Sequence, residues 1–308
     1  MVGLLFPGQG SQTVGMGREL AAQYPVARQT FEEADDVLGC ALSRLAWEGP
    51  EEELTATSNA QPALLAHSIA VHRVVEEQLG PVALAAGHSL GEFSAYVAAG
   101  ALGFAAGLRT VRLRGELMQR SGKERPGTMA ALLGLDDDAA EKVCRAASVE
   151  GGVCVPANYN APGQVVISGD VEAIERALPL ARAAGAKRAI RLNVSGAFHS
   201  PLMAAAAPGL EAQLASVELA APRFAVVSNV TAAPVTDAAL ARRLLVEQLT
   251  APVRWTASMR ALLDAGVQRF YELGSGNVLT GLLRRIERNA EVHAIGRPAD
   301  LQALAAQV

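Results

Sequence analysis

The segment GHSLG at residues 87–91 places a serine between two glycines, in the pattern G-x-S-x-G. Ser89 in this pattern is a candidate nucleophile, because a serine on a sharp strand-to-helix turn exposes its oxygen for attack on an acyl carbonyl. The motif alone is a weak signal, since short Gly-rich patterns also arise by chance. The open chemical question is whether an acyl group held on Ser89 would pass to water or to another acceptor.

The flanking sequence favours a nucleophile elbow over a plain Gly-Ser helix cap. PVALAA at 81–86 predicts a strand, and GEFSAYVAAGAL at 91–102 predicts a helix that follows the serine at once. Gly87 and Gly91 are the small residues that such a tight turn needs. The N-terminus of the helix would then point at Ser89 and favour a developing oxyanion.

Of the five histidines, His199 in NVSGAFHSPLM is the best candidate general base. It follows a predicted strand and opens a segment of small residues. His88 adjoins the serine and points away from it, while His67, His72 and His293 sit where structural roles are favoured. No nearby aspartate signals a full triad, so the third partner could be a carbonyl oxygen. A structural role for His199 remains the alternative.

FAAGLRTVRLRGELMQR at 104–120 predicts an amphipathic helix in which one arginine is unusually placed. Most of its arginines fall on the polar face, whereas Arg114 lies beside Val111 and Met118 at the edge of the apolar stripe. A buried guanidinium needs an anionic partner. That partner could be a structural acid, which position alone favours, or a substrate carboxylate held by both nitrogens. Met118 would be a neighbouring substrate contact.

The Gly-rich segment FPGQGSQTVGMG at 6–17 follows a predicted strand at residues 2–6. It fits two nucleotide motifs poorly, because Thr13 stands where a dinucleotide fingerprint needs its third glycine and Met16 replaces a phosphate-loop lysine. Such a loop could instead offer a backbone N–H near Ser89. A plain Gly-rich turn is the alternative.

The order of predicted elements indicates an α/β protein with two parts. Alternating strands and helices predict an α/β-hydrolase-like core with a parallel sheet. Between them, about 70 residues have the order β-α-β-β-α-β, the pattern of a ferredoxin-like subdomain. The sequence therefore predicts a catalytic core formed by 1–123 and 196–308, with a ferredoxin-like subdomain inserted at 124–195.

Composition and charge exclude several classes of function. The formal net charge of -4 leaves no basic excess for nucleic acid. The three cysteines are an odd number without CxxC spacing, which is typical of a reduced chain without zinc sites. No long apolar run or charged leader predicts a membrane span or a signal peptide. We therefore expect a cytoplasmic protein.

Seven motifs, spaced in order along nearly the whole chain, together resemble one family. They are FPGQGSQ, TSNAQPALLAHSIA, GHSLGEFSA, RLRGELMQ, ANYNAPGQVVISG, GAFHSPLM and QLTAPVRW. The chain resembles malonyl-CoA:acyl carrier protein transacylases, the stand-alone enzymes of type II fatty-acid synthesis. The resemblance runs from about residue 4 to 281 and implies the two-part architecture described above.

The resemblance implies a role for each matching position. Ser89 matches the acylated nucleophile, His199 its base, and Gln248 the residue whose carbonyl orients that base. The backbone N–H groups of Gln9 and Leu90 match the oxyanion hole.

The resemblance also implies the substrate contacts. Arg114 matches the arginine that grips the malonyl carboxylate, which reverses the structural interpretation from position. Gln61 and Asn160 match polar positions that line the site. Phe198 resembles the bulky residue of malonyl-selective relatives, where methylmalonyl-selective ones carry a smaller side chain. The implied mechanism is ping-pong, with malonyl-CoA as substrate and no metal, nucleotide or redox cofactor.

The implied partner is an acyl carrier protein, whose acidic surface calls for a local basic patch. Two groups of residues are candidates, and either could equally be an ordinary solvated face. The first is Lys187, Arg188 and Arg191, and the second is Arg284, Arg285 and Arg288. The chain departs from the common GPGK motif of relatives at Ser275 and Asn277, which removes a positive charge. We expect the enzyme to act as a monomer.

Three other functions compete with this interpretation. A trans-acting malonyl acyltransferase of a polyketide synthase would share the fold and chemistry and differ only in its carrier protein. An acyl-thioester hydrolase is disfavoured because a neutral acyl group gives Arg114 nothing to bind. A silent carrier-binding module is disfavoured by the complete set of Ser89, His199 and Arg114.

Overall fold

The first strand, VGLLF, is buried along its whole length, as its uninterrupted apolar sequence predicts. It belongs to a computed structural model that describes residues 1–149 and 151–305. The strands are β1 (Val2–Phe6), β2 (Val82–Gly87), β3 (Gly127–Leu133), β4 (Cys154–Ala161), β5 (Gln164–Asp170), β6 (Arg188–Arg191), β7 (Ala225–Val227), β8 (Pro234–Val235), β9 (Arg269–Leu273) and β10 (Glu291–Ile295).

Six strands form a sheet in the order β10-β9-β1-β2-β7-β8, in which only the short β8 is antiparallel to its neighbour. Phe6 at the end of β1 is paired with Gly87 at the end of β2. Because both strands end at the same level, the loop after β1 and the loop after β2 leave the same edge of the sheet. This pairing brings the Gly-rich segment next to the G-x-S-x-G motif.

Helices cover both faces of this sheet, because alternate residues of its strands point to opposite sides. Leu4 and Phe6 pack into one core, while Leu5 packs into another. The helices are α1 (Arg18–Gln23), α2 (Pro25–Leu38), α3 (Leu42–Glu48), α4 (Glu51–Thr55), α5 (Thr57–Val75), α6 (Leu90–Ala98), α7 (Phe104–Glu124), α8 (Asp137–Ala147), α9 (Val171–Ala183), α10 (Ala207–Ser216), α11 (Ala238–Glu247), α12 (Trp255–Asp264), α13 (Val278–Ile286) and α14 (Pro298–Ala305), with a 3-10 helix at Pro201–Ala206.

The other four strands form an antiparallel sheet in the order β4-β5-β3-β6. With α8 and α9 between them, their chain order is β-α-β-β-α-β, and the strand order is that of a ferredoxin-like fold. Residues such as Leu132, Val165 and Ile167 pack with α8 and α9 in a core of their own. The predicted fold class, a parallel α/β core with a ferredoxin-like unit, is confirmed.

Two elements differ from the sequence-based prediction. The sequence of residues 17–35 predicts one helix, whereas the structure has two, α1 and α2, because Pro25 lacks an N–H and Tyr24 before it is extended. The sequence AKRAIRLN at 186–193 predicts a strand of eight residues, whereas the strand in the structure, β6, has only four. Among the helices of the described ranges, none has a stretch both apolar and long enough to cross a bilayer.

Candidate active site

Ser89 stands on the turn between β2 and α6, as the N-cap of the helix, with φ 53° and ψ -110°. A positive φ is costly for a non-glycine residue and persists only where the surroundings impose it. The two positions that flank Ser89, Gly87 and Gly91, have no room for a side chain. A Cβ at Gly87 would overlap the backbone of Gly91, and a Cβ at Gly91 would overlap the carbonyl oxygen of Phe6. The motif therefore forms a nucleophile elbow.

Asn229, in the loop after β7, holds this turn in place. Its side-chain Nδ2 donates to the carbonyl oxygen of Gly87 over 2.7 Å, and its Oδ1 accepts from the N–H of Ser89 over 2.7 Å. The side chain is fully buried. Nothing local in the sequence SNV marks this residue, because it reaches the elbow only through the pairing of β7 with β2.

His199 lies against the nucleophile. Its Nε2 is 2.8 Å from Ser89 Oγ, and its Nδ1 is 2.9 Å from the carbonyl oxygen of Gln248. A carbonyl oxygen can only accept, so Nδ1 carries the proton and Nε2 is left to accept from the serine hydroxyl. No carboxylate is needed to select this tautomer. His88, in contrast, is bonded through Nε2 to Asn160 Oδ1 at 2.8 Å.

The electrostatic surroundings keep His199 neutral. Burial lowers its pKa, and the nearby positive charge of Arg114 lowers it further, to about 3. The bond to the Gln248 carbonyl opposes this shift but is the weaker effect. At neutral pH the imidazole is therefore unprotonated at Nε2 and available as a base.

Arg114 on α7 is 1% exposed and reaches the nucleophile. Its Nη2 is 3.1 Å from Ser89 Oγ and 2.9 Å from Gln248 Oε1, and its Nη1 is 2.7 Å from Gln61 Oε1. All three acceptors are neutral. Burial lowers the pKa of Arg114 to about 10, so the group stays cationic near neutral pH.

A structural acid does not explain the burial of Arg114, because Arg114 forms no direct ion pair with any described residue. Within residues 1–149 and 151–305, no carboxylate oxygen lies within 4.0 Å of its guanidinium nitrogens. The negative charge that stabilises the cationic form of Arg114 belongs to Glu92. The two side chains are connected through Gln248, which is hydrogen-bonded to both. A buried cation beside a nucleophile, with neutral acceptors only, is suited to an anionic group of a substrate.

A cleft of about 380 Å³ opens above Ser89, between loops that leave the edge of the parallel sheet and strands of the antiparallel sheet. Arg114, Met118, Asn160 and Phe198 all contribute to its wall, and Phe198 is 6% exposed. Gln61 lies behind the wall, where its Nε2 contacts Met118 Sδ at 3.4 Å. The structure therefore brings Arg114, Met118, Asn160 and Phe198 together around one cavity. Gln61 does not line the cavity, but its Oε1 accepts a hydrogen bond from Arg114.

Two residues that line this cleft beside Ser89, Gln9 and Leu90, are the candidates for an oxyanion hole. Leu90 is the first residue of α6, and Gln9 lies on the loop after β1. Neither N–H has a hydrogen-bond partner among the residues that the structure describes. Free donors beside a nucleophile, one of them at a helix N-terminus, can stabilise an oxyanion.

Comparison with known proteins decides the family. A family model described as the acyl transferase domain matches residues 4–295. The chain belongs to the acyl transferase domain family. The chain is 49% identical, over 304 residues covering 98% of each, to the malonyl CoA-acyl carrier protein transacylase of Salmonella typhimurium.

Solved structures agree with this family. An acyl carrier protein S-malonyltransferase from Vibrio cholerae is 46% identical, with a TM-score of 0.95 over 98% of this chain and 99% of that one. A malonyl-transacylase in complex with a type II PKS acyl-carrier protein is 45% identical, with a TM-score of 0.96 over 100% and 99%. The fold and nearly the whole length of this acyl transferase are thus shared with malonyltransferases.

The predicted basic residues lie outside the cleft and are exposed. Arg191 is paired with Glu175 over 2.9 Å. Arg188 lies near the cleft rim, two strands from the cleft-lining Gln164, because Leu133 is paired with both residues. On the other side, Arg285 donates to Gln164 Oε1 over 2.7 Å. Lys187 adjoins Arg188, and Arg284 and Arg288 lie on and just after α13.

The sequence departures lie at the N-terminus of α13. Ser275 is buried, while Asn277 is the exposed N-cap, and its side chain makes no capping bond. The next residues, Val278 and Leu279, line the cleft. The mouth of the cleft in this acyl transferase therefore has the neutral side chain of Asn277 at the position where the resemblance described above leads us to expect a lysine.

The described part of the chain contains no cluster of three or more His, Cys, Asp or Glu residues able to hold a metal. The side chains that surround Ser89 are one imidazole, one guanidinium and several amides. Such groups suit proton transfer and anion binding. The absence of a cofactor remains a prediction from the sequence.

Proposed function

We propose that this acyl transferase moves a malonyl group from malonyl-CoA to the phosphopantetheine thiol of an acyl carrier protein, through a malonyl ester on Ser89. The observation that carries the proposal is the buried Arg114, whose Nη2 is 3.1 Å from Ser89 Oγ and whose bonds go to neutral acceptors. A malonyl carboxylate supplies the missing negative charge. The names of the relatives, malonyl CoA-acyl carrier protein transacylase and S-malonyltransferase, support the same donor and acceptor.

In the first half-reaction, Ser89 Oγ attacks the thioester carbonyl carbon while His199 Nε2 accepts the hydroxyl proton. The N–H groups of Gln9 and Leu90 hold the oxyanion of the tetrahedral intermediate. As the bond between carbon and sulfur breaks, His199 gives its proton to the CoA sulfur. The product is a malonyl-serine ester.

In the second half-reaction, the phosphopantetheine thiol gives its proton to His199 and attacks the ester carbonyl carbon. The bond between carbon and Ser89 Oγ breaks, and His199 returns the proton to the serine. Each proton leaves and re-enters at the same nitrogen, so the reaction needs no metal or redox group. Since all of these side chains come from one chain, we propose that the enzyme works as a monomer.

Phe198 is proposed to favour malonyl over methylmalonyl groups. The ring is buried in the cleft wall directly before His199. An additional methyl branch would compete with it for space, and a single pocket wall of this kind contributes about 1–3 kcal/mol of discrimination.

We propose a cytoplasmic location, since the odd number of cysteines without CxxC spacing is typical of a reducing compartment.

The function is tested by intact mass after mixing the protein with malonyl-CoA, methylmalonyl-CoA or acetyl-CoA, followed by holo-acyl carrier protein. We expect one malonyl group on the enzyme, little labelling by the other donors, and transfer to the carrier. Ser89→Ala should prevent the label, whereas Ser11→Ala, at another buried serine beside the cleft, should retain it. Loss of the label mainly to water would favour a hydrolase and overturn the proposal.

Docking of the carrier protein is expected to use the basic residues at the cleft rim. The double variants Lys187→Glu/Arg188→Glu and Arg284→Glu/Arg285→Glu should each raise the KM for the carrier by about 10-fold, because charge complementarity guides an acidic partner. Loading of Ser89 from malonyl-CoA should change less than about twofold, since it does not involve the carrier. Steady-state transfer at several salt concentrations measures this effect.

The matched control for docking is Arg145→Glu. Arg145 is 66% exposed on α8, which covers the face of the antiparallel sheet opposite to the cleft. Its charge reversal should leave the KM for the carrier unchanged. An unchanged KM in both rim variants would remove these residues from the docking surface.

A further inference from the structure

Glu92 is a fully buried carboxyl group on the first turn of α6, three residues after the nucleophile. Its Oε2 accepts from Gln248 Nε2 over 2.6 Å and from the backbone N–H of Asn229 over 3.1 Å. Its Oε1 has no hydrogen-bond partner within the described residues. Burying a carboxyl group is costly unless it is bonded. A half-bonded acid at this position therefore needs a functional explanation.

The first bond of Glu92 orients Gln248, which is bonded to His199, Arg114 and Ser89. Its carbonyl accepts from His199, its Oε1 accepts from Arg114, and its Nε2 donates both to the carbonyl oxygen of Ser89 and to Glu92. An amide has its oxygen and nitrogen on opposite arms of one plane. Anchoring Nε2 on an acid that accepts strongly therefore fixes Oε1 toward the guanidinium and prevents the amide from flipping.

The second bond of Glu92 helps to fix the turn that carries Ser89. Asn229 donates its backbone N–H to Glu92, and its side chain holds the carbonyl oxygen of Gly87 and the N–H of Ser89. One carboxylate oxygen thus joins the loop that carries Gln248 to the loop that fixes the elbow. Removing that oxygen would leave two buried donors with weaker or no acceptors.

We propose that Glu92 is a positioning residue, which sets His199 and Arg114 relative to Ser89 through Gln248 and Asn229. The inference rests on the proposed function, because it concerns the same serine acylation. Glu92 does not touch the reacting atoms and is not itself a base.

The protonation of Glu92 does not disturb this arrangement. Burial raises its pKa to about 7, so the acid and the carboxylate are both present near neutral pH. A proton on the unpartnered Oε1 leaves Oε2 free to accept both bonds. Glu92→Gln copies this neutral form, since an amide oxygen can take the same two donors.

The experiment measures kcat and KM for malonyl-CoA, at saturating holo-acyl carrier protein, in Glu92→Ala, Glu92→Asp and Glu92→Gln. We expect Glu92→Ala to lower kcat by about 10- to 100-fold, because two buried donors lose their acceptor. The KM for malonyl-CoA should not rise, because Arg114 keeps its positive charge and no longer has the carboxylate of Glu92 near it to offset that charge. Glu92→Gln should restore kcat to within about fivefold of the original protein.

Glu92→Asp keeps an acid but shortens its reach, so it should lose kcat as the alanine variant does. This variant keeps the test decisive if Glu92→Ala fails to fold. The matched control is Ser94→Ala, another buried polar residue of α6, whose Oγ has no partner among the described residues. We expect it to leave kcat within twofold.

Three outcomes bear on the proposal. A fall in kcat at constant KM, with recovery in Glu92→Gln, supports it. Unchanged kcat in Glu92→Ala, or parallel losses of kcat, substrate affinity and melting temperature in all three variants, overturns it in favour of a purely structural acid. If the original protein forms no malonyl ester, the proposed function itself fails, and the inference fails with it.

Discussion

His199→Ala lowers the rate at which malonyl-CoA acylates Ser89 by about 10²–10⁴-fold, the usual contribution of a well-placed general base. The reason is the short path from the hydroxyl to the imidazole, 2.8 Å, and a tautomer already set by the Gln248 carbonyl. Without this nitrogen, the serine proton would have to leave to water. Stopped-flow or quenched-flow measurement of the malonyl-enzyme gives the rate directly.

The pH dependence of the same step should be unusually flat for a histidine base. Burial and the charge of Arg114 lower the pKa of His199 to about 3, so the neutral imidazole predominates well below neutral pH. The acylation rate should therefore be constant from about pH 5 to pH 8 and should fall only as the pH approaches the pKa of the buried imidazole. An unperturbed histidine would already lose activity below about pH 6.5.

His67→Gln is the control for a buried histidine. His67 is 2% exposed, is bonded to the carbonyl oxygen of Gly296 over 3.0 Å, and has a pKa lowered by burial to about 4. It resembles His199 in environment but is not part of the site around Ser89. Acylation should stay within twofold in this variant. A similar loss in both variants would mean that His199 matters for folding rather than for proton transfer.

The sequence predicts the local parts of this site because they depend on neighbours in the chain. The small residues at 87 and 91 and the order of strand, serine and helix are local features, and the structure has the elbow that they indicate. The β-α-β-β-α-β order likewise predicts the antiparallel sheet, because two such halves in sequence are the pattern of a ferredoxin-like unit.

The parts that the sequence does not predict depend on distant segments. Asn229 and Glu92 are ordinary polar residues in their own segments, and only the pairing of β7 with β2 brings them together beneath Ser89. The position of Arg114 on its helix indicates burial but not what it contacts. Helical periodicity favours a structural acid as its partner, whereas the structure surrounds it with amides and the nucleophile.

Arg114→Ala should lower kcat/KM for malonyl-CoA by about 30- to 4000-fold. Removing one partner of a buried, charge-assisted contact costs about 2–5 kcal/mol, and each 1.4 kcal/mol is a factor of ten. Acetyl-CoA has no carboxylate, so its kcat/KM should change less than about threefold. The preference for malonyl over acetyl groups should therefore largely disappear. Competition between the two donors, followed by intact mass, measures the preference in one experiment.

Arg114→Lys separates charge from geometry. A lysine keeps the positive charge but lacks the planar pair of nitrogens that bind a carboxylate side by side. It should recover only part of the lost preference. Arg109→Ala is the matched control, since Arg109 is an exposed arginine on the same helix, and it should leave both donors unaffected.

The same variant makes a second prediction, which links the two residues. Arg114 lowers the pKa of His199 by its positive charge, so removing that charge should raise this pKa. In Arg114→Ala the acid limb of the acetylation rate should move to higher pH, while it should stay in place in Arg109→Ala. A retained malonyl preference together with an unmoved acid limb would show that the guanidinium neither binds the carboxylate nor acts on the base. Loss of preference with a moved limb is what a cation 3.1 Å from the nucleophile requires.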